Sequence, residues 1–355
     1  MKVVSIVGAR PEFIQAALIS RELRDKDTEI LVHTGQHYDF LLSEVFFRDL
    51  GLPKPDYNLG VGSASHGKQT GEMLAKIEEV LAVEKPDWVI VRGDTNSTLA
   101  GALAAAKLHI SLAHVEAGLR SFNRRMPEEI NRILTDHMAD VLFCPTGAAV
   151  QNLAHEGITQ GVFLVGDVMY DLALRVVRLA EGKSDILRAL RIEAKQYYLV
   201  TVHRPENTDD GTNLLGILEA LNRIAGTVIF PAHPRTSKAI QDLDCRVESH
   251  VRMIDPVGYL DMLVLEENAC QILTDSGGVQ REAYFLGVPC LTLRSETEWV
   301  ETVQVGWNVL VGTKAERIVE ATQHFQPATE RPPVFGDGRA SARIVQILRD
   351  HQRPA

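Results

Sequence analysis

The sequence predicts an α/β protein with two domains, each built on a doubly wound parallel sheet. Short apolar runs alternate with amphipathic stretches, which is the pattern of parallel strands joined by helices. The alternation restarts near residue 198, after a stretch at 166–183 that indicates a connection. A chain of 355 residues is also long for one hydrophobic core. Two similar halves place the expected ligand site in the cleft between them.

In the first half, the predicted strands are apolar runs of the buried type. They cover residues 2–7, 29–34, 88–92, 111–115, 141–144 and 162–165. Segments with helical periodicity lie between them at residues 14–24, 67–83 and 95–107.

The second half repeats this organisation. Its predicted strands are residues 198–202, 228–231, 251–254, 271–274, 290–293 and 309–311. Its predicted helices are residues 214–224, 260–266 and 279–286, with a final helix at 339–349 after a flexible Phe-Gly-Asp-Gly turn.

Composition excludes several functional classes. The formal net charge of −10 argues against a general nucleic-acid binder, because phosphate backbones require a basic face. No run of about 18 apolar residues occurs, so no membrane span is expected. The four scattered cysteines predict buried free thiols in a reducing cytoplasm. Zinc, P-loop and nucleophile-elbow motifs do not occur, and we expect neither a metal nor a cofactor.

Two predicted strands each place an acid at their C-terminal tips. The apolar run 88–91 is followed by Asp94 beside Gly93, and the run 110–115 is followed by Glu116. Ligands bind at this edge of open parallel sheets, so two acids there suggest proton transfer. The alternative is that each acid caps the helix that follows it.

Other residues predict sites for phosphate and ribose groups. Arg10 stands at a predicted helix N-terminus, where the dipole and a guanidinium would attract an anion; the alternative is a surface ion pair. In the second half a strand, a small-residue turn and a helix follow in order. Backbone amides at Ser276, Gly277 and Gly278 can therefore approach a phosphate. Glu282 on that helix is placed to accept hydrogen bonds from ribose hydroxyls.

Two strand tips of the second half carry histidine and arginine. His203 precedes Arg204, and the pattern recurs at His233 and Arg235, which are expected to line the same cleft. Histidine suits proton donation to a leaving phosphate near neutral pH, although a core or capping role is the alternative. Glu128 lies in the first turn of a predicted helix, where an acid needs no functional role.

Together these motifs resemble the non-hydrolysing UDP-N-acetylglucosamine 2-epimerases. The matching segments run in unbroken order along the chain, at residues 8–12, 93–95, 114–120, 127–132, 275–278 and 336–338. The resemblance implies a GT-B fold, in which the last helix returns to the first domain. We therefore predict an N-terminal domain of residues 1–167 with 337–355, and a UDP-binding domain of residues 168–336.

The resemblance also implies a reaction. UDP-GlcNAc and UDP-ManNAc would interconvert through anti elimination of UDP and its re-addition to 2-acetamidoglucal, in a homodimer without metal or nicotinamide. The residues that match the family's catalytic positions are Asp94, Glu116, Glu128 and His203. Those that match its diphosphate and ribose contacts are Arg10, Ser276, Gly277 and Glu282. The sequence leaves open which acid serves which face of the sugar.

The sequence departs from the family pattern at positions that bear on ligand contacts, regulation and the choice of substrate. Many members carry lysine where this chain has Gln15, and segment 35–40 differs from that of members activated by UDP-GlcNAc. Segments 35–38, 119–123 and 297–300 also resemble the branch that epimerises UDP-2,3-diacetamido-2,3-dideoxyglucuronate. Arg204 or Arg235 would accept the carboxylate of that sugar. We place UDP-GlcNAc first. A GT-B glycosyltransferase and a noncatalytic UDP-sugar sensor are the alternatives from other classes.

Overall fold

The protein consists of two compact units. The computed structural model describes residues 1–35, 54–180, 183–243 and 245–351, except for the side chains of residues 10 and 11. The first unit comprises Met1–Leu172 and Pro333–Ala355, and the second comprises Ala173–Pro332. The domain boundaries expected from the sequence, after residues 167 and 336, stay predictions. Segment 35–40, apart from its first residue, lies outside the described residues.

The first unit is built on a seven-stranded parallel sheet. Its strands are β1 (Lys2–Val7), β2 (Thr28–His33), β3 (Tyr57–Asn58), β4 (Trp88–Arg92), β5 (Ser111–Val115), β6 (Val141–Cys144) and β7 (Val162–Leu164). They lie in the order β3-β2-β1-β4-β5-β6-β7. Every residue of β4 and β5 is buried, which explains why these strands are mostly apolar in the sequence.

Helices cover both faces of this sheet. They are α1 (Arg10–Arg24), α2 (His66–Glu84), α3 (Asn96–Lys107), α4 (Pro127–Met138), α5 (Gly147–His155) and α6 (Val168–Ala180), the last of which enters the second unit. One core cluster joins alternate strand residues such as Val3 and Ile90 to α1, and another joins Val4 and Val89 to α2 and α3. This alternation follows from the two-residue period of a strand.

The second unit contains a six-stranded parallel sheet. Its strands are β8 (Tyr197–Thr201), β9 (Thr227–Pro231), β10 (Val251–Ile254), β11 (Gln271–Thr274), β12 (Cys290–Thr292) and β13 (Asn308–Leu310), in the order β10-β9-β8-β11-β12-β13. Its helices are α7 (Ile186–Leu190), α8 (Pro205–Thr208), α9 (Gly211–Arg223), α10 (Pro234–Asp242), α11 (Tyr259–Asn268), α12 (Gly277–Leu286), α13 (Val300–Gln304) and α14 (Ala315–His324). The prediction of two doubly wound parallel sheets is confirmed.

The final helix, α15 (Ala340–Asp350), belongs to the first unit. The Arg349 guanidinium donates to the Asp27 carboxylate at 2.6 and 2.8 Å, and the Asp171 carboxylate accepts from the Ala340 and Ser341 amides at 3.0 and 2.8 Å. The C-terminal segment therefore returns to the N-terminal sheet, as the resemblance implied.

Strand order reverses direction once in each sheet. The reversal lies between β1 and β4 in the first unit, and between β8 and β11 in the second. Ligands of open α/β sheets bind outside the carboxyl ends of the strands at such a point. The segments after these four strands are the ones that the sequence singled out.

The helix that contains the amphipathic stretch 14–24 begins at Arg10, with Pro11 in its first turn. The expected connection at 166–183 contains α6, within which the first unit ends and the second begins. The expectation of buried thiols was wrong in part. The four cysteines are free, but Cys245 and Cys270 are only half-buried. In the parts of the chain that the structure describes, no helix has the length and apolar character needed to cross a membrane.

Candidate active site

Asp94 lies at the tip of β4 and does not cap the following helix. Thr95 caps α3, because its hydroxyl accepts from the amides of Ser97 and Thr98 at 3.1 and 3.3 Å. The Asp94 side chain keeps 32% of its surface exposed and forms an ion pair with Arg132 of α4. The capping alternative is therefore wrong for Asp94, and its carboxylate is available to a ligand.

Three acids influence one another around Asp94. Burial raises the pKa of Asp94 above its ordinary value, and the negative charges of Glu116 and Glu128 act in the same direction, while contact with Arg132 opposes them. The Asn131 amide donates to the Asp94 carbonyl at 2.9 Å and fixes the backbone there. The structure thus brings together the three acids singled out in the sequence, around one guanidinium.

Glu116 follows β5 in a backbone conformation that is rare for its residue type. Its φ is +73°, and its amide and that of Ala117 both donate to the Phe143 carbonyl at 3.1 Å. The carboxylate accepts a hydrogen bond from the Gln15 amide at 2.9 Å. The next helix begins only at Pro127, so Glu116 has no capping role either.

The two adjacent acids of α4 have different environments. Glu129 is 1% exposed, and its carboxylate accepts from the amides of Ser121 and Phe122 at 2.9 Å and from Arg132 at 2.9 Å. Glu128 is exposed. Glu129 therefore fixes the loop before α4, and Glu128 is the acid that a ligand can reach.

A buried ion pair links the loops that carry Asp94 and Glu116. His114 donates through Nδ1 to Asp136 at 2.6 Å and through Nε2 to the Gly93 carbonyl at 2.8 Å. Asp136 also accepts from the Gly118 amide at 3.1 Å and from Arg120 at 2.7 Å. Although burial opposes it, contact with His114 and Arg120 holds the pKa of Asp136 below its ordinary value. Each ring nitrogen of His114 therefore faces a hydrogen-bond acceptor.

A carboxylate in the first turn of α1 accepts hydrogen bonds from the backbone amides just before that helix. Glu12 is 3% exposed and accepts from the amides of Gly8 and Ala9 at 2.5 and 2.9 Å, and from two threonine hydroxyls near the start of α3. Burial raises the pKa of Glu12, while these hydrogen bonds oppose the increase. Arg10 is the first residue of α1, and its side chain lies outside the described part of the structure.

In the second unit, Asp275 holds the turn that carries His203. Its fully buried carboxylate accepts from the amides of His203 and Arg204 and from the Asn207 side chain, at 3.0–3.1 Å. His203 Nδ1 lies 3.2 Å from Asp275, and the imidazole remains 52% exposed. These contacts hold the pKa of Asp275 below its ordinary value despite burial. His203 is therefore an oriented surface imidazole rather than a core residue.

The turn after β11 leads into the N-terminus of α12. Ser276 caps α12 by accepting from the Val279 amide at 3.4 Å, and Gly278 is exposed. A Cβ atom on Gly277 would lie 3.3 Å from the indole nitrogen of Trp299. The small residues thus keep the backbone amides of this helix accessible to an anion.

Glu282 belongs to a buried acidic cluster. It is 8% exposed and accepts from the Tyr259 hydroxyl at 2.8 Å. Burial raises the pKa of the neighbouring Glu266 well above its ordinary value, and the charge of Glu282 adds to the effect. The raised pKa of Glu266 favours its neutral form beside Glu282.

The predicted cationic residues of the second unit already have carboxylate partners. Arg204 lies 3.6 Å from Glu298, which also accepts from Arg294 at 2.9 and 3.1 Å. Arg235 donates two hydrogen bonds to Asp209 at 2.6 and 2.7 Å on the surface.

His233 caps α10, because its Nδ1 accepts from the Arg235 amide at 3.3 Å. His233 therefore serves as the cap of this helix, and its place in the ligand site stays a prediction. Sequence reasoning missed two side chains, Arg132, which is paired with Asp94, and Asp275, which orients His203. The spacing of Arg132, one helical turn after Glu128, was the available signal. Among the described residues, no three His, Cys, Asp or Glu side chains form a group that could hold a metal.

Comparison with known proteins places this site in context. The model of the family described as UDP-N-acetylglucosamine 2-epimerase matches residues 21–349. The chain is 56% identical to a UDP-N-acetylglucosamine 2-epimerase homolog of Methanococcus maripaludis, over 99% of this chain and all of that protein. It is 50% identical to the UDP-2,3-diacetamido-2,3-dideoxy-D-glucuronate 2-epimerase of Pseudomonas aeruginosa, over 98% of this chain and 99% of that protein.

The fold is also similar to solved structures. The crystal structure of the Methanocaldococcus jannaschii UDP-GlcNAc 2-epimerase, in complex with UDP-GlcNAc and UDP, superposes with a TM-score of 0.88. Its sequence is 46% identical, and the match covers 99% of this chain and all of that one.

Proposed function

Because the chain belongs to the UDP-N-acetylglucosamine 2-epimerase family, we propose that it interconverts UDP-GlcNAc and UDP-ManNAc by inversion at C2. The observation that carries this proposal is the group of Asp94, Glu116 and Glu128 around Arg132. An anionic ligand does not require several carboxylates unless they act on protons.

The chemistry of the sugar explains why acids are needed. The hydrogen on C2 is weakly acidic, because no carbonyl within the ring adjoins it. Its removal needs the C1–O bond to break ahead of proton transfer, with positive charge on the ring. The C–H electron pair then forms the C1=C2 bond, and UDP leaves with the C1–O pair. In the return step a phosphate oxygen of UDP attacks C1, and a proton reaches C2 on the opposite face.

The acids of the first unit supply both proton transfers in this proposal. Carboxylates near the ring stabilise its positive charge and remove the proton. Glu116 or Asp94 removes or returns the C2 proton, with Glu128 assisting. The raised pKa of Asp94 keeps a larger fraction of this group protonated than in an ordinary aspartate, which suits it to return a proton.

Residues of the second unit, together with Arg10 of the first, are proposed to hold UDP. His203, oriented by Asp275, and Arg10 would stabilise the departing β-phosphate. Ser276, Gly277 and Gly278 would offer backbone amides to the diphosphate, and the Glu282 carboxyl group would accept from the ribose hydroxyls. Arg204, Arg235 and His233 are proposed only to line the ligand site.

The diacetamido-glucuronate substrate remains the second candidate, supported by the name of the Pseudomonas aeruginosa relative. That sugar carries a carboxylate, which needs a cation. Arg204 and Arg235 are the residues proposed for it, and both already face carboxylates within the protein. An uncharged hexose avoids exchanging those partners, so UDP-GlcNAc stays first.

Assembly, location and pathway are further proposals. The family resemblance supports a homodimer and the supply of precursors for envelope polysaccharides. The four free thiols support a reducing cytoplasm. Light scattering at several protein concentrations tests the dimer, and a single mass equal to one chain would contradict it.

Proton NMR in heavy water tests the proposed reaction, with each UDP-sugar incubated without an acceptor. An epimerase produces a second UDP-sugar with deuterium at C2, whereas a glycosyltransferase or a sensor leaves the substrate unchanged. Glu116→Gln should lower kcat by at least about 10²-fold, the smaller end of general acid–base effects. Glu72→Gln, at an exposed carboxylate paired with Lys76, is the control and should retain full turnover. Near-normal kcat in Glu116→Gln would remove this residue from the mechanism.

A further inference from the structure

We propose that Gln15 is a positioning residue for this reaction, whose neutral amide orients the Glu116 carboxylate through a direct hydrogen bond. The inference rests on the proposed role of Glu116 as a base.

The Gln15 side chain is buried although one of its polar atoms is unsatisfied. Gln15 lies in α1 and is 3% exposed, and its Nε2 donates to Oε2 of Glu116 at 2.9 Å. An ionised carboxylate can only accept, so the nitrogen of the amide must face it. The Gln15 Oε1 atom is buried and has no hydrogen-bond partner among the described residues. A buried unpaired carbonyl costs stability, so packing alone does not account for an amide at this position.

The backbone of Glu116 is held at the same time as its side chain. Two amide hydrogen bonds to the Phe143 carbonyl fix the unusual φ of +73°. A Cβ atom on Gly93 would lie 3.7 Å from Glu116 Oε2, so this oxygen faces the loop that carries the second candidate acid. Gln15 approaches the same oxygen from α1. The Glu116 backbone is therefore fixed by β6, while its carboxylate is held by the hydrogen bond from α1 beside the loop after β4.

Charged groups surround Glu116 on its other sides. Asp94 follows β4, while Glu128 and Arg132 lie on α4, and all three interact electrostatically within this cluster. Asp167, at the start of α6, lines a cavity of about 10 Å³ together with Gln15 and Glu116. The Arg132 guanidinium is already bound to two other carboxylates. The hydrogen bond from α1 is thus a neutral contribution in a site crowded with acids, and a cation in its place would change the proton affinity of Glu116.

Three variants test this inference by the pH dependence of kcat/KM for epimerisation. Gln15→Leu removes the donor, and Gln15→Lys replaces it with a cation. Ser20→Ala is the matched control on the same helix, because the buried Ser20 hydroxyl also donates to a carboxylate, that of Glu29, at 2.9 Å. UDP affinity and circular dichroism confirm that each variant is folded.

Loss of the hydrogen-bond donor disfavours the ionised Glu116 carboxylate, so Gln15→Leu should move the acid limb of the pH profile to higher pH. It should also lower kcat roughly 10- to 100-fold, with little change in KM. Gln15→Lys should move the acid limb to lower pH by about 1–3 units, the range for an adjacent opposite charge. Ser20→Ala should keep the original profile.

An unchanged acid limb in the folded Gln15 variants would overturn the inference. If Gln15→Leu does not fold, the pH profile of Gln15→Lys decides. A shifted acid limb supports the inference, and an unchanged one contradicts it. Failure of the unsubstituted protein to form a second UDP-sugar with deuterium at C2 would instead refute the proposed function, so the two failures are distinguishable.

Discussion

Replacement of Asp136 by asparagine should weaken the protein more than its small change in shape suggests. Asp136 is 1% exposed and accepts three hydrogen bonds, from His114 at 2.6 Å, Arg120 at 2.7 Å and the Gly118 amide at 3.1 Å. The Arg120 guanidinium is a cation in a buried site, and the His114 imidazole faces acceptors on both sides. Asparagine retains a single acceptor oxygen, and its NH₂ group would face a donor.

The expected loss follows from these contacts. Removing one partner of a buried ion pair costs about 3–5 kcal/mol, because the remaining charge is left uncompensated. Here one carboxylate balances His114, while Arg120 keeps a second partner, Glu156, at 2.7 and 2.8 Å. We therefore expect a loss of about 3–4 kcal/mol in the free energy of unfolding. Turnover should also fall, since His114 holds the Gly93 carbonyl next to Asp94.

Urea denaturation followed by circular dichroism measures the first effect, and initial rates well below the transition measure the second. Asp140→Asn is the control. The exposed Asp140 carboxylate accepts from the Leu112 amide at 2.9 Å, and its loss should cost at most about 1.5 kcal/mol. In addition, ¹⁵N NMR of labelled histidine should show both ring nitrogens of His114 protonated. An Asp136→Asn variant within 1 kcal/mol of the unsubstituted protein would refute the reasoning.

Three further predictions follow from single contacts. Burial raises the pKa of Glu266, so this residue stabilises the folded protein at low pH, and that stabilisation is lost as the pH rises from the ordinary glutamate pKa through the raised one. Between pH 5 and 8 the melting temperature of Glu266→Gln should therefore rise relative to that of the unsubstituted protein. A difference in melting temperature that stays constant with pH would contradict this. Gly118→Ala should destabilise the first unit by at least about 2 kcal/mol in urea denaturation, because its φ is +80° and the new Cβ would lie 2.4 Å from the Ala149 carbonyl oxygen; a change below 0.5 kcal/mol would show that this contact relaxes freely. Ser276→Ala removes the side chain that accepts from the Val279 amide, so it should lower the free energy of unfolding by about 1 kcal/mol and weaken UDP binding measured by calorimetry. Ser276→Asp restores a capping acceptor and should recover stability but not UDP affinity.

Much of the architecture was predictable because its signals are local. Strands β1, β4, β5 and β6 were predicted to the residue, since strands buried on both faces appear as uninterrupted apolar runs. The placement of Asp94 and Glu116 at strand tips follows from the same runs. The short helix α7 lacked such a signal, because none of its residues is fully buried.

The sequence by itself thus determined the alternation of strands and helices and the acids at the strand ends, since each depends on neighbours along the chain. Only the tertiary structure decided which groups face those acids. Arg132 meets Asp94 across 38 residues, and Gln15 meets Glu116 across 101. Such pairs arise when helices pack over the sheet, and the burial that results sets the protonation of Asp94. The periodicity of either segment alone carries no information about that contact.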